Sequence, residues 1–210
     1  MVLKELADKA NVKFGTSGVM GLVKDLSPEL CFAYASAFIQ GHKQTKKIAI
    51  GHDLRPSSPD ITKACIAAAK FNDIEAIYLG NMPTPAVANF CLSQNILGIV
   101  ITGNHIPFDR NGIKFYRPDG EISKDDELSI VNTEVVLPEI INLEDLPAVN
   151  NFGIDAYKDR YFDFFGPKFL DGLMIAIYEH SGVARDLLHD LFSSLGAKTI
   201  SLGRSEILYQ

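Results

Sequence analysis

One polar segment, ITGNHIPFDRNGIKFY (101–116), holds the side chains of an acid–base site between two apolar runs. His105 and Lys114 are suited to general acid–base chemistry on sugar hydroxyl groups, and Asn104 stands directly beside the histidine. The segment contains no obvious nucleophile. It therefore predicts either proton transfer at a bound ligand or, as the alternative, a structural histidine that only forms hydrogen bonds.

Two further segments carry candidate binding residues. KFGTSGVMG (13–21) has glycines at 15, 18 and 21, and such spacing lets backbone N–H groups close around a phosphate. The segment lacks the lysine of a P-loop, so a simple turn is the alternative. GHDLRPSS (51–58) places Asp53 and Arg55 at the end of an apolar run, where they either bind a ligand or form only a capping salt bridge.

A fourth segment, YEHSGVARD (178–186), brings together His180, Ser181 and Arg185. Capping of the following helix by Ser181 is its simpler interpretation. The five histidines of the chain are scattered and have no cysteine partners, which argues against a zinc site.

Hydrophobic periodicity predicts which elements position these residues. The predicted strands are 46–53, 75–80 and 98–102, and the predicted helices are 26–43, 58–73 and 84–95. Strands and helices that alternate in this way indicate an α/β fold, with a mixed, mainly parallel sheet covered by helices on both faces.

Ligands of such sheets bind beyond the carboxyl ends of the strands. The segments GHDLR, GNMPTP and TGNHIP all follow predicted strands, so they are expected to form one polar rim. The dipeptide Asn111-Gly112 predicts a hairpin turn, which would fold Lys114 back towards His105.

The composition changes near 138–165, where an acidic, proline-bearing stretch precedes an amphipathic connecting helix. We therefore predict a first domain at 1–150 and a second unit at 151–210 with a strand at 173–178, a helix at 182–195 and a strand at 199–203. A β-α-β unit of this size is a poor independent core, so the second domain is expected to be truncated. Its uncovered edges and apolar faces predict a homo-oligomer through residues 165–210.

Composition excludes several classes of protein. The net charge of −6 over 210 residues argues against a chain-wide nucleic-acid footprint. The charged N-terminus is not a signal peptide, and no apolar run approaches the ~20 residues of a membrane span. Three widely spaced cysteines in apolar segments predict buried thiols in a reducing cytoplasm.

Taken in order, the segments KFGTSGVMG, GHDLRPSS, GNMPTP and TGNHIPFDRNGIKFY resemble the α-D-phosphohexomutase superfamily, and bacterial phosphomannomutase/phosphoglucomutase proteins in particular. The stretch IAIYEHSGVARDLLHDLFSSLGAKTISLGRSE resembles the start of the family's second domain. The resemblance implies isomerisation of a phosphosugar between its 1- and 6-phosphate forms through an active-site phosphoserine. It also implies magnesium held by three aspartates of a D-G-D-x-D-R loop.

The sequence departs from the family pattern at the reacting groups. Thr102, His105 and Pro107 match the T-[AG]-S-H-x-P loop, but Asn104 occupies the phosphoserine position. The F-G-T-x-G-x-R-G pattern is followed except that Met20 occupies the position of its arginine. No D-G-D-x-D-R occurs in the 210 residues, so no metal ligand and no cofactor are predicted.

The resemblance assigns roles to nine positions. The catalytic candidates are Asn104, His105 and Lys114, and the substrate-binding candidates are Gly15, Thr16, Met20, Asp53, Arg55 and Thr102. Because an amide cannot carry a labile phosphoryl group and an arginine without that phosphate loses its bidentate partner, the two departures are chemically coherent.

The expected protein is therefore phosphomannomutase/phosphoglucomutase-like and not a competent mutase by itself, with at most weak phosphosugar binding. Two alternatives remain open. One is a fragment or variant of an active phosphomannomutase, and the other is a non-catalytic interaction or phosphosugar-binding module.

Overall fold

The structure is a computed structural model that describes residues 3–10, 12–15, 18–103 and 106–206. Within these ranges the chain forms seven α-helices, one short 3₁₀-helix (Val23–Asp25) and nine strands. The helices are α1 (Leu3–Ala10), α2 (Pro28–Gln40), α3 (Ser58–Phe71), α4 (Thr84–Gln94), α5 (Lys124–Asn132), α6 (Phe152–Phe165) and α7 (Arg185–Ser194). The strands are β1 (Lys13–Phe14), β2 (Gly18–Leu22), β3 (Lys47–His52), β4 (Glu75–Asn81), β5 (Leu97–Ile101), β6 (Arg110–Arg117), β7 (Gly120–Glu121), β8 (Met174–His180) and β9 (Lys198–Ser205).

Helix α2 has clear start and stop signals. The Ser27 hydroxyl accepts a hydrogen bond from the backbone N–H of Leu30 at 3.3 Å, Pro28 occupies the first turn, and Gly41 follows the last helical residue. The helix is apolar on nearly all sides because it lies between α1, α3 and α5 and buries ten of its residues.

One large sheet has the strand order β1-β2-β6-β5-β3-β4, with β7 paired to β6. Strand β3 pairs in parallel with β4 and β5, whereas the β5–β6, β6–β2 and β2–β1 pairs are antiparallel. The mixed α/β fold predicted from the sequence is confirmed, and its parallel part is the β5-β3-β4 portion that carries the predicted rim.

Helices cover this sheet on both faces, as predicted. Successive strand residues face opposite sides, so Ile48 and Ile50 of β3 join the core under α1, α2 and α3, whereas Ala49 joins the core under α4. Cys31, Cys65 and Cys91 are buried and free, as predicted. Burial raises the pKa of Cys31 and of Cys91 to about 12, so both stay protonated thiols.

The predicted hairpin turn at Asn111-Gly112 is wrong. Both residues lie inside β6, where Asn111 pairs with Gly21 and Gly112 pairs with Met20. The backbone N–H of Thr102 donates to the Gly112 carbonyl at 3.0 Å, so the β5–β6 connection instead spans 102–109. An Asn-Gly pair favours a tight turn locally, but strands on both sides of β6 supply ladder partners that override this preference.

The second unit contains α6 and a two-stranded parallel sheet of β8 and β9 with α7 on one face. Helix α6 packs on α4, where Ile154 and Tyr157 lie against the core that contains Ala49 and the buried side chains of α4. The prediction that Ser181 caps α7 is wrong, because the helix begins at Arg185. Ser181 instead adopts a left-handed φ of 36° and its backbone N–H donates to the Ser205 carbonyl at 3.2 Å.

In the part of the chain that the structure describes, no helix combines the length and the apolar content needed to cross a bilayer.

A candidate ligand site at the carboxyl ends of the strands

A cavity of about 440 Å³ opens where the loops after β3, β4 and β5 meet the loop after β8. It is lined by Asp53, Leu54, Arg55, Met82, Pro83, Thr84, Pro85, Thr102, His180, Ser181, Gly182 and Val183. All three segments predicted to form one rim contribute to this lining. The lining combines polar and apolar surface in about equal measure, and concave sites of this size are typical of small-molecule binding.

Asp53 holds the start of the polar loop that follows β5. One carboxylate oxygen, Oδ1, accepts hydrogen bonds from the Arg55 backbone N–H at 3.0 Å and from the Ser58 hydroxyl at 2.7 Å. The other, Oδ2, accepts from the Gly103 backbone N–H at 3.0 Å and lies 3.4 Å from Arg55 Nε. The carboxylate is therefore already saturated by the protein.

Arg55 holds the end of the same loop. Its Nη2 donates to the Ile106 carbonyl at 2.7 Å, and its Nη1 donates to the carbonyls of Pro107 at 2.9 Å and Arg110 at 3.0 Å. The residue is only 6% exposed. The salt bridge between Asp53 and Arg55, one of the two alternatives that the sequence offered, is thus present. Together with the bonds from Arg55 to the carbonyls, it holds the connection between β5 and β6.

Gly103 lets the loop approach Arg55 closely, and a larger residue here would displace the guanidinium group from the position it has in this structure. A Cβ added at this position would lie 2.1 Å from Arg55 Nε and 2.2 Å from Cζ, well inside any real contact. The loop backbone therefore packs directly on the guanidinium group.

Asn111 supports the same network from β6 and was not identified from the sequence. Its side chain is buried, its Nδ2 donates to the hydroxyls of Ser57 at 2.8 Å and Ser58 at 3.0 Å, and its Oδ1 accepts from the Gly112 backbone N–H. Asn111 is the second residue of β6 and follows Asp109 and Arg110, so nothing in the local sequence distinguishes it from an ordinary polar loop residue.

His52 connects β3 to β4 beneath the cavity. Its Nδ1 lies 2.8 Å from the Asp53 carbonyl oxygen and its Nε2 lies 2.9 Å from the Tyr78 hydroxyl. Because the carbonyl can only accept, Nδ1 carries the proton and Nε2 accepts from Tyr78. Burial lowers the pKa of His52 from its ordinary value of 6.5, against the opposing effect of Asp53.

This histidine makes stability dependent on pH. Since its folded pKa lies below the unfolded value, its contribution is fully present above about pH 6.5 and is lost as the pH falls towards the folded pKa. We expect the unfolding free energy of the wild type to decrease on acidification by up to about 1.4 kcal/mol per pH unit more than that of His52→Gln. Urea unfolding of both proteins between neutral and mildly acidic pH measures this difference, and parallel curves would contradict it.

Gly15, Met20 and Lys114 are not part of the described lining of the cavity. The backbone N–H of Gly15 donates to the Gly18 carbonyl at 2.7 Å, between the end of β1 and the start of β2. Met20 lies on β2 opposite Gly112, and Lys114 lies on β6 between Gly18 and Val100. The structure therefore brings together Asp53, Arg55 and Thr102, but neither Met20 nor Lys114 belongs to the lining. Thr16, Asn104 and His105 lie outside the described residues.

The turn after β8 supplies the cavity wall that the sequence did not identify as part of a site. His180, Ser181, Gly182 and Val183 face the loops of the first unit, and His180 Nδ1 lies 2.9 Å from the Ser181 hydroxyl. In the sequence, YEHSGVARD (178–186) indicates only a helix start, so this contribution to the cavity has no separate sequence signal.

The described residues do not fit a magnesium site. They contain no group of three His, Cys, Asp or Glu side chains that could hold a metal ion. Asp53 is the only carboxylate of the described lining, and both of its oxygens are occupied by protein donors. Mg²⁺ requires several oxygen ligands in octahedral geometry.

Comparison with known proteins agrees with this architecture. Residues 11–134 match the model of the phosphoglucomutase/phosphomannomutase alpha/beta/alpha domain I. A Phosphomannomutase from Salmonella muenchen is 42% identical over 205 residues, which covers 96% of this chain and 42% of the relative. A Phosphoglucosamine mutase from Aeromonas salmonicida is 33% identical over 202 residues, which covers 91% of this chain and 45% of the relative.

A solved structure shows the same fold. The phosphoglucomutase/phosphomannomutase family protein from Burkholderia thailandensis superimposes with a TM-score of 0.72 at 21% identity, covering 89% of this chain and 43% of the other. The chain thus spans less than half the length of the proteins that it matches.

Proposed function

Because this chain belongs to the phosphoglucomutase/phosphomannomutase family, we propose that it binds a hexose phosphate at the cavity after β3, β4 and β5 without carrying a phosphoryl group at position 104. One observation carries the proposal. The loop that contains position 104 is held at both ends by Asp53 and Arg55, yet the residue at that position is asparagine.

The chemistry of position 104 argues against phosphoryl transfer. A serine hydroxyl can accept and release a phosphoryl group, whereas an amide nitrogen or oxygen at Asn104 offers no comparable nucleophile. Met20 replaces a residue type that would neutralise a phosphate dianion by charge-assisted hydrogen bonds. Asn104 and Met20 are therefore consistent with each other, since an arginine at position 20 would have bound a phosphate at position 104.

The loop's anchors argue for retained binding. Arg55 and Asp53, which are joined by an ionic contact, donate or accept four hydrogen bonds to residues 103–110, and none of these requires a phosphorylated residue. Preorganised loops lose little conformational entropy on binding. The cavity of about 440 Å³ is large enough for a small phosphorylated sugar.

Phosphomannomutase turnover is the second candidate function. It is favoured by the 42% identity to the Phosphomannomutase from Salmonella muenchen, which extends over 96% of this chain. The two candidates differ in whether a phosphoryl group becomes attached to the protein.

We expect wild-type protein incubated with glucose 1,6-bisphosphate to gain no phosphoryl group, because position 104 lacks a hydroxyl. Asn104→Ser should gain one, and Asn104→Ala, the matched control, should gain none. Intact-protein mass spectrometry measures the gain, and calorimetric titration with glucose 1-phosphate measures binding by the unmodified protein.

The results separate the candidates. Phosphorylation of the wild type, or conversion of mannose 1-phosphate to mannose 6-phosphate well above a blank, would replace the binding proposal with the mutase. No heat of binding at millimolar sugar phosphate would reject the binding proposal itself.

We also infer that the chain self-associates through its second unit. The face of β8–β9 opposite α7 exposes Tyr178 (71%), Met174 (67%), Leu202 (49%) and Ile200 (41%). Contiguous apolar surface of this kind is typically covered by a second protein surface.

Light scattering at micromolar concentration should report more than one chain, and Tyr178→Lys should shift the protein towards monomer. Val136→Lys, at a residue that is 67% exposed outside this face, is the control. A monomeric wild type would contradict the inference.

A further inference from the structure

Glu179 is a buried carboxylate next to the wall of the cavity. It is the residue before His180, it lies on β8, and it is only 1% exposed. Along β8 the side chains of Ile175, Ile177 and Glu179 alternate with exposed residues, so the carboxylate faces α7. A glutamate is rarely buried without strong partners.

Three side chains from two other elements hold this carboxylate. Oε1 pairs with His189 of α7, and Oε2 accepts a hydrogen bond from Ser201 of β9. Arg204 of β9 lies 3.4 Å from Oε2 and extends to Asp186 of α7 at 2.7 Å. One side chain thus connects β8, α7 and β9.

The regular β8–β9 ladder is interrupted at this point of the sheet, although the Ser181 backbone N–H still donates to the Ser205 carbonyl at 3.2 Å. The β8–β9 register runs from Tyr178 opposite Leu202 to His180 opposite Ser205, so β9 has one extra residue here. Gly203 accommodates the irregularity with a left-handed φ of 61°. The side-chain contacts of Glu179 lie at the interruption of the ladder, immediately before the turn that lines the cavity.

The hydrogen bond from Ser201, followed by that from His189 and the charge of Arg204, holds the pKa of Glu179 below its ordinary value. The carboxylate is therefore ionised at neutral pH, and all three partners find an acceptor. A glutamine at this position would offer only one acceptor oxygen to these three donors.

We propose that Glu179 is a positioning residue of the ligand site. Its carboxylate fixes the turn after β8, so that His180 and Ser181 contact a hexose phosphate bound in the cavity that Asp53 and Arg55 also line. This inference rests on the proposed function, because it takes the same cavity as the binding site. Groups that complete a site are effective only when a supporting shell locks their position.

Glu179→Gln tests the inference, since it keeps the shape of the side chain and removes one acceptor oxygen and the charge. Ile177→Val is the matched control, because it removes one methyl group from the buried face of the same strand, which packs on α7, and leaves the carboxylate with its partners. Calorimetry with glucose 1-phosphate measures affinity at a temperature where all variants are folded. Amide hydrogen exchange of the unliganded proteins measures the order of residues 180–183.

We expect Glu179→Gln to weaken binding by about tenfold, in line with the loss of a hydrogen bond to a charged group. Exchange in 180–183 should rise more than in α7. Ile177→Val should bind like the wild type. Wild-type affinity in Glu179→Gln, or exchange that rises equally throughout β8, α7 and β9, would overturn the inference.

Two further arms keep the test decisive. If the wild type does not bind the sugar phosphate, the proposed function fails, and the exchange comparison alone decides the role of Glu179. If Glu179→Gln does not fold, Ser201→Ala removes one partner of the carboxylate while the other two remain. It should weaken binding and raise exchange in 180–183 to a smaller extent, and a value equal to the wild type in both would overturn the inference.

Discussion

Arg55→Ala is expected to lower the free energy of unfolding by about 3–5 kcal/mol, the range found when one partner of a buried ion pair is removed. The substitution removes the guanidinium donor from the carbonyls of Ile106, Pro107 and Arg110, and of these the Pro107 carbonyl keeps a bond from the Arg110 backbone N–H at 3.1 Å. It also leaves Asp53 without its counter-ion. The free energy of unfolding of Arg55→Lys should lie between those of Arg55→Ala and the wild type. A lysine keeps the charge, but it lacks the planar guanidinium group that donates to three carbonyls.

Denaturant unfolding followed by circular dichroism measures this effect. Arg160→Ala is the control, since Arg160 is an exposed arginine with a single hydrogen bond, to Asn89 at 3.2 Å. Its change should stay within about 0.5 kcal/mol. Equal losses for the two variants would show that the Arg55 contacts do not hold the loop.

Phe115→Ala is expected to destabilise the protein by about 3–5 kcal/mol, the usual cost of truncating a fully buried aromatic side chain. Phe115 lies on β6 with no exposed surface, and its ring centre is 4.9 Å from that of Phe38 and 6.2 Å from that of Phe14. These contacts join the sheet to α2 and β1, so the cavity left behind cannot be filled by one neighbour alone.

Phe108→Ala is the matched control for this second variant. Phe108 is 45% exposed in the β5–β6 connection, so the same chemical change removes far less buried area. A difference of less than about 1 kcal/mol between the two variants would contradict the role assigned to this core.

The fold class and the position of the site were predictable because both depend on local patterns. The strands ending at His52, Asn81 and Ile101 are apolar runs with polar residues at or near their carboxyl ends, and parallel pairing brings those ends together. The rim therefore follows from hydrophobic periodicity and from the general rule for α/β sheets.

The contacts that shape the site were not predictable in the same way. Arg55 binds backbone carbonyls more than fifty positions away, and every residue type has a carbonyl, so no sequence signature marks the partners. The pairing of β6 with β2, which overrides the Asn111-Gly112 turn signal, depends likewise on a strand near the other end of the domain. The role of the turn after β8 depends on how the second unit packs against the first.

The strand order has a consequence for synthesis on the ribosome. Strand β2 lies between β1 and β6, so Gly18 cannot pair with Lys114 until β6 has been synthesised. Ribosomes add roughly 100 residues in on the order of 5–20 s, and for that time the β2 edge of the nascent N-terminal hairpin has no partner. Apolar residues such as Val19, which is fully buried in the finished fold, stay accessible to chaperones during this interval. A pause in translation before β6 would prolong that exposure and favour misfolding of the nascent chain.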